Sequence, residues 1–195
     1  MSIKLVDIIV KHTGKYMSYY QIDYVTDSGR LKTYEMVSKI GSKISDIEKL
    51  TEDTLAIPSK AVIVHAYNED HSKILINKEF RLGINKFIYN QVAGFIEPGE
   101  TLEQAANREL QEETGLNITK IIDILPPSFT NAPVCDDNVP LVTCTAAGTI
   151  VNSTNEIEIT EPFWATKQEV KELLHSDIPF SGRLQTFAYM WVNSL

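Results

Sequence analysis

Residues 94–100 read Gly94-Phe95-Ile96-Glu97-Pro98-Gly99-Glu100, and residues 101–116 continue TLEQAANRELQEETGL. Thr101 is suited to cap a helix N-terminus, and Gln104 three residues on completes a capping box. Leu102, Ala105, Ala106 and Leu110 then recur at helical spacing as an apolar stripe, and Gly115 falls where a left-handed C-cap residue belongs. The stretch therefore predicts a helix over 102–113. On that helix Glu109, Glu112 and Glu113 stand at i, i+3 and i+4, so their carboxylates share one face. Like charges at this spacing cost about a few tenths of a kcal/mol per pair, which a solvated face tolerates. Three carboxylates opposite an apolar stripe also make an oxygen-rich site suited to hard divalent cations such as Mg²⁺ or Mn²⁺. Arg108 can brace one carboxylate through a bidentate contact, and Gly99 permits an unusual turn just before Glu100. Cations held there can bind a diphosphate and activate a water for attack on phosphorus.

Working outward, residues 4–10, 17–26 and 31–38 read as strands, rich in β-branched and aromatic side chains. Asp27-Ser28-Gly29 is turn chemistry joining the second and third into a hairpin. Tyr20, Ile22 and Tyr24 share one face by period-2 alternation, and Tyr19, Tyr20 and Tyr24 read as aromatics that one subunit leaves uncovered. Residues 41–59 read as a connection. Strands follow at 61–67, 73–80 and 89–93, then, after the helix, at 118–125, 140–151 and 156–164. Thr166 with Glu169 opens a second capped helix over 167–175, and a last helix runs from 182 to 193 with Leu184, Phe187 and Trp191 inward. This order predicts an α+β fold of α/β/α type with a mixed sheet, plus an N-terminal antiparallel β segment.

The 195 residues suffice for a core without staples. Lys and Arg number 18 against 26 Asp and Glu, a formal charge of −8. That balance argues against docking on nucleic-acid phosphates and leaves open a phosphorylated small molecule held through divalent cations. Cys135 and Cys144 make neither a disulfide framework nor a zinc pair. No signal-like or membrane-length apolar run occurs, and the chain reads as soluble and cytoplasmic. The two usual nucleotide-binding glycine loops are absent.

Gly94, Glu100, Arg108, Glu109, Leu110, Glu112, Glu113, Gly115 and Leu116 match the signature of the Nudix hydrolases at every defined position. The wider layout resembles the ADP-ribose pyrophosphatase branch. The resemblance implies an N-terminal dimerisation segment, residues 1–55, and a Nudix hydrolase domain, residues 56–195, assembled as a homodimer. It implies metal ligands at Glu109, Glu112, Glu113 and the Ala93 carbonyl, with Arg108 supporting them, and a catalytic glutamate on a later loop, for which Glu156 is the candidate. TYEMV (33–37) is similar to the adenine-binding segment, implying Tyr34 and Glu35. KEFR (78–81) is similar to a phosphate-contacting segment, implying Arg81. Glu97 falls where a glutamate contacts ribose or metal-bound water, and Pro133 lies near a proline of that branch. Departures are Val92 for proline, Glu79 for the common glutamine, and Asp137 for glutamate. The implied reaction is Mg²⁺-dependent cleavage of ADP-ribose, or a related nucleotide sugar, into AMP and a sugar phosphate. Alternatives are another nucleoside diphosphate derivative, of the GDP-mannose or dinucleotide type, and a nucleotide-sensing domain without turnover. No nucleic-acid or membrane partner is implied.

Overall fold

The computed structural model describes residues 3–39, 59–153 and 159–194; the connection at 41–58 and Glu156 lie outside them. The chain divides into two compact units. One holds the residues up to Lys60 together with Pro127–Val139, and the other holds Ala61–Pro126 and Pro140–Leu195.

The first unit is built on strands β1 (Ile3–Thr13), β2 (Ser18–Thr26) and β3 (Leu31–Ser38), antiparallel in that order. The expected hairpin forms: the Gly29 amide donates to the Thr26 carbonyl at 2.9 Å, and Gly29 has a φ of 80° that suits glycine. Ile8, Tyr20 and Ile22 form its core, with Leu5, Val10, Tyr24 and Met36 against them. Tyr20 is fully buried, which corrects its reading as an uncovered aromatic. Its side chain packs with Ile8 and Ile22, whereas Tyr19 and Tyr24 remain half-buried. Segment 127–139 is tied to β3 by the Val37 amide donating to the Val134 carbonyl at 2.9 Å. Ser38 Oγ donates to Asp136 Oδ2 at 2.6 Å.

The second unit carries a mixed sheet in the order β10-β5-β4-β9-β8. Its strands are β4 (Ala61–Tyr67), β5 (Lys73–Arg81), β6 (Lys86–Asn90), β7 (Val92–Phe95), β8 (Leu116–Phe129), β9 (Asn138–Gly148) and β10 (Thr160–Thr166). β4 and β9 run parallel, while β4–β7, β5–β6 and β5–β10 are antiparallel. The single strand expected at 89–93 is two strands. β6 pairs with β5 and β7 pairs with β4, so the chain changes partner at the buried Gln91.

Helix α1 (Leu102–Thr114) forms as its caps dictate. The Gln104 amide donates to Thr101 Oγ1, the Thr101 amide donates to Gln104 Oε1 at 2.8 Å, and Gly115 closes the end at φ 76°. Its buried Ala105, Ala106 and Leu110 pack on Val62, Val64, Leu75, Val92 and Val142. Helices α2 (Lys167–Leu173) and α3 (Gly182–Asn193) pack on a separate cluster that includes Ile74, Ile76, Tyr89, Val170, Leu184 and Trp191. Leu75 thus faces α1 while Ile74 and Ile76 face α3, because successive strand side chains point to opposite faces. The result in the second unit is the expected α/β/α layering with a mixed sheet, and the first unit carries the expected antiparallel N-terminal sheet. Among the described residues, no helix is long and apolar enough to cross a membrane.

Candidate active site

A pocket of about 810 Å³ opens in the second unit between α1, the end of β5 and β7. Glu109, Glu112 and Glu113 line it from the helix, Ala93, Gly94 and Phe95 from β7, and Glu79, Phe80, Arg81, Leu82 and Gly83 from β5 and its hairpin. Ser153, Ile159 and Thr160 complete the wall.

Arg108 organises the acidic side. Its Nε and Nη2 form a fork on Glu100, at 2.8 and 2.9 Å. Nη1 reaches Glu109 Oε1 at 2.9 Å and Glu112 Oε2 at 3.1 Å, and Nη2 also donates to the Phe95 carbonyl at 2.7 Å. A planar guanidinium with five donors is the side chain suited to such a junction. Glu100 in turn accepts the Glu97 amide at 2.9 Å, so the loop before the helix is cinched to it. The Arg108 hydrogen bonds hold the Glu100 carboxyl down to about 2, and raise Arg108 itself.

Gly94 has a steric reason to be glycine. A Cβ there would lie 1.9 Å from Glu109 Cδ and 2.1 Å from each carboxylate oxygen. The Glu109 head group occupies the space that any other residue would fill.

Glu113 is strongly perturbed. Burial, then the charges of Glu79 and Glu109, push its carboxyl up to about 8. The Ala93 amide opposes this by donating to it, and Asn77 Nδ2 donates to Glu113 Oε2 at 2.9 Å. Glu79 is itself buried, where Asn90 Nδ2 donates to its Oε1 at 2.7 Å and Arg81 Nε contacts the same oxygen. Asn77 and Glu79 were not singled out for the site by the sequence. Their signal is polar alternation at 77, 79 and 81, continuing the strand face that starts at Leu75.

The pocket thus gathers Glu109, Glu112, Glu113, Ala93 and Arg81, with Arg108 behind them. Glu97 is exposed and contributes its amide to the loop instead. Glu156 lies outside the described residues. Tyr34 and Glu35 belong to the first unit. There Tyr34 Oη donates to the Pro133 carbonyl at 2.6 Å, joining two positions the sequence had linked only by resemblance. The Glu35 carboxylate takes a hydrogen bond from the Tyr19 hydroxyl.

The oxygen-only donor set, and the space left open at Gly94 for the Glu109 head group, fit a hard divalent cation. Among the described residues, no three of these carboxylates converge tightly enough to close a metal shell unaided. Arg108 draws Glu109 and Glu112 toward itself, and closing a shell requires side-chain rotation. Glu112, with its side chain 60% exposed, has the room.

A match to the NUDIX domain family covers residues 58–184. The chain belongs to the Nudix family. The NAD-capped RNA hydrolase NudC of Haemophilus influenzae is 35% identical over 105 residues, 47% of this chain and 37% of that protein. The ADP-sugar pyrophosphatase of Mus musculus is 32% identical over 102 residues, 52% of this chain and 43% of that protein. A putative Nudix hydrolase 2 of Caenorhabditis elegans is 25% identical over 146 residues, covering 75% and 61%. The chain therefore matches less than two thirds of the length of each of these curated relatives. A crystal structure of an ADP compounds hydrolase superposes with a TM-score of 0.68 over 98% of this chain and 92% of that one. At 16% identity it shares the Nudix fold.

Proposed function

We propose that this Nudix hydrolase cleaves the diphosphate of ADP-ribose or a related nucleotide sugar, dependent on Mg²⁺ or Mn²⁺. The observation that carries the reading is the intact acidic face of α1 in a pocket, with Glu109, Glu112 and Glu113 beside the Ala93 backbone and Arg81 opposite. Glu109, Glu112, Glu113 and the Ala93 carbonyl would hold the cation, which supplies charge neutralisation of the diphosphate and acidifies an attacking water. Arg108 fixes Glu109 through Oε1 and Glu112 through Oε2 and so holds both at the pocket. Arg81, with its side chain half exposed at the pocket wall, is placed to pair with a phosphate oxygen. Glu156 is the candidate for the proton acceptor. Tyr34 and Glu35 are proposed for the adenine and Glu97 for the ribose. A ring 41% exposed, with its hydroxyl anchored on Pro133, is suited to stacking.

A dinucleotide containing a nicotinamide is the second reading, favoured by the NudC similarity. Residues 56–195 are proposed as the hydrolase domain and residues 1–55 as a homodimerisation segment. The exposure of Ile3, Val6 and Leu31 supports the latter.

The test is a panel of ADP-ribose, ADP- and GDP-sugars, NAD and NAD-capped RNA, with Mg²⁺ and with excess EDTA, reading mononucleotide release. Metal-dependent cleavage of ADP-ribose above the others is expected. Glu113→Gln is expected to lower kcat at least a hundredfold, about 2.7 kcal/mol of barrier. Full activity in EDTA, or a loss under fivefold, refutes the metal reading. Preference for NAD transfers the assignment to the second reading.

A further inference from the structure

Strand β5 presents Leu75, Asn77, Glu79 and Arg81 on one face, since they alternate with residues turned the other way. Leu75 packs in the α1 cluster, so this is the face toward α1. Directly opposite Glu79 on the neighbouring strand β10 is Thr160, and cross-strand partners share a face. Glu79 and Thr160 both line the acidic pocket. Each is only 8% exposed.

Three features of this wall lack an internal explanation. Glu79 is buried and Glu113 partly buried, close enough that their charges repel, and burying charge is costly unless it is paired or ligates a metal. Both hydrogen bonds to Glu79 fall on Oε1, from Asn90 and Arg81. Among the described residues, Thr160 Oγ1 and Asn77 Oδ1 are buried polar oxygens with no hydrogen-bond partner, which is uncommon in a folded protein. Among the described residues, a carboxylate oxygen without a hydrogen bond, on the strand face that also carries the unpartnered Asn77 oxygen and opposite the unpartnered Thr160 oxygen, is a cation's donor set rather than an anion's.

We infer that Glu79 and Thr160 form an additional divalent-cation site on the β5–β10 wall, shared with Glu113 across the pocket and distinct from the ligands carried by the signature helix. The inference rests on the metal-dependent reading above and adds to it a strand-borne ligand. Arg81 keeps the Oε1 side of Glu79, and the cation takes the other oxygen. Thr160 contributes a neutral oxygen. A cation so placed sits on the Arg81 side of the diphosphate, opposite the cation held by Glu109 and Glu112.

The experiment is Mn²⁺ titration of the full chain, without substrate, by calorimetry and by the loss of the free-Mn²⁺ electron paramagnetic resonance signal. Four proteins are compared: the parent, Glu79→Gln, Thr160→Val and Glu161→Gln. Glu79→Gln keeps the shape and an Oε1 acceptor. Glu161 is on the same strand as Thr160 but pairs with Lys78 outside the pocket. It removes the same charge without removing a ligand.

The expected result is one class of Mn²⁺ sites weakened at least tenfold in Glu79→Gln and at least threefold in Thr160→Val. The remaining sites stay unchanged, and Glu161→Gln is within twofold of the parent throughout. Superimposable titrations for Glu79→Gln and the parent overturn the inference and leave the signature-helix site standing. So does an equal weakening of every site, which reports only a lost charge. A parent chain that binds no Mn²⁺ overturns both readings. Should Glu79→Gln fail to fold, unchanged binding by the uncharged Thr160→Val variant is enough to overturn the added site.

Discussion

Replacing Gly94 with alanine is a perturbation whose size can be worked from the coordinates. The new methyl would start 1.9 Å from Glu109 Cδ, and ordinary carbon contacts lie at about 3.5–4.0 Å. The Glu109 carboxyl must therefore retreat by about 1.5–2 Å. The retreat is cheap for the fold because only the end of a flexible side chain moves. It forfeits the hydrogen bond from Arg108 Nη1, and the alanine recovers about 0.4–1 kcal/mol by restricting the unfolded chain. A net change of about 1 kcal/mol corresponds to roughly 2–4 °C in Tm for a chain of this size. Catalysis is less forgiving, since misplacing a group by about 1 Å can cost 10²-fold. Gly94→Ala is expected to lower kcat about a hundredfold or more, with weaker Mn²⁺ binding and a Tm within a few degrees of the parent. The assay is kcat on the best substrate of the panel, calorimetric Mn²⁺ affinity and a melting curve. Gly29→Ala is the converse control. Gly29 has φ +80° with nothing near its missing Cβ, so it should lose about 1–2 kcal/mol of stability to backbone strain and keep its kcat. If Gly94→Ala retains kcat within fivefold and the parental Mn²⁺ affinity, Glu109 is not a ligand and the steric argument is wrong.

Arg108→Lys should fail to substitute, because one ammonium cannot reproduce the fork on Glu100 while also reaching Glu109, Glu112 and the Phe95 carbonyl. A tenfold or greater loss of kcat is expected, and parental activity would refute the organising role. His65 gives a pH signature. It is buried, stacked on Phe187 at 4.0 Å, and burial followed by the Arg183 charge pushes it down to about 4. The folded state thus disfavours its proton, and stability present above pH 6.5 is lost as pH falls toward 4, by at most about 3 kcal/mol. Denaturant melts at pH 7 and pH 4.5 should show a smaller difference for His65→Gln than for the parent; equal differences would refute it.

The helix at 102–114 was legible because its signals are local: two cap residues, a stripe and a terminal glycine. The α/β/α order and the terminal helix at 182–193 were legible for the same reason. The shared acidic face of α1 followed from i, i+3, i+4 arithmetic. What escaped depends on partners distant in sequence. Gln91 divides a strand because β5 and β4 each claim one side of it, which no window of residues records. Glu79 enters the pocket, and Asn77 reaches Glu113, only because β5 turns that face toward α1. Glu79 looked like a departure from a pattern until Asn90 and Arg81 were seen on its carboxylate. Tyr20 read as uncovered because period-2 alternation identifies a face and says nothing of what closes over it.

The grouping of Pro127–Val139 with the N-terminal strands has a consequence for anyone cutting the gene. The polypeptide passes between the two units three times, at 60–61, 126–127 and 139–140. No single cleavage or stop codon can therefore release the pocket-bearing unit intact. A fragment starting at Ala61 keeps 127–139 but loses the Val37 amide, the Ser38 hydroxyl and the Tyr34 hydroxyl that hold it. Asp136, already lacking a partner for Oδ1, would lose the bond to its other oxygen as well. Such a fragment should expose a new protease-sensitive loop between β8 and β9. A chimera that trades specificity between relatives would have to exchange two separate stretches of chain together.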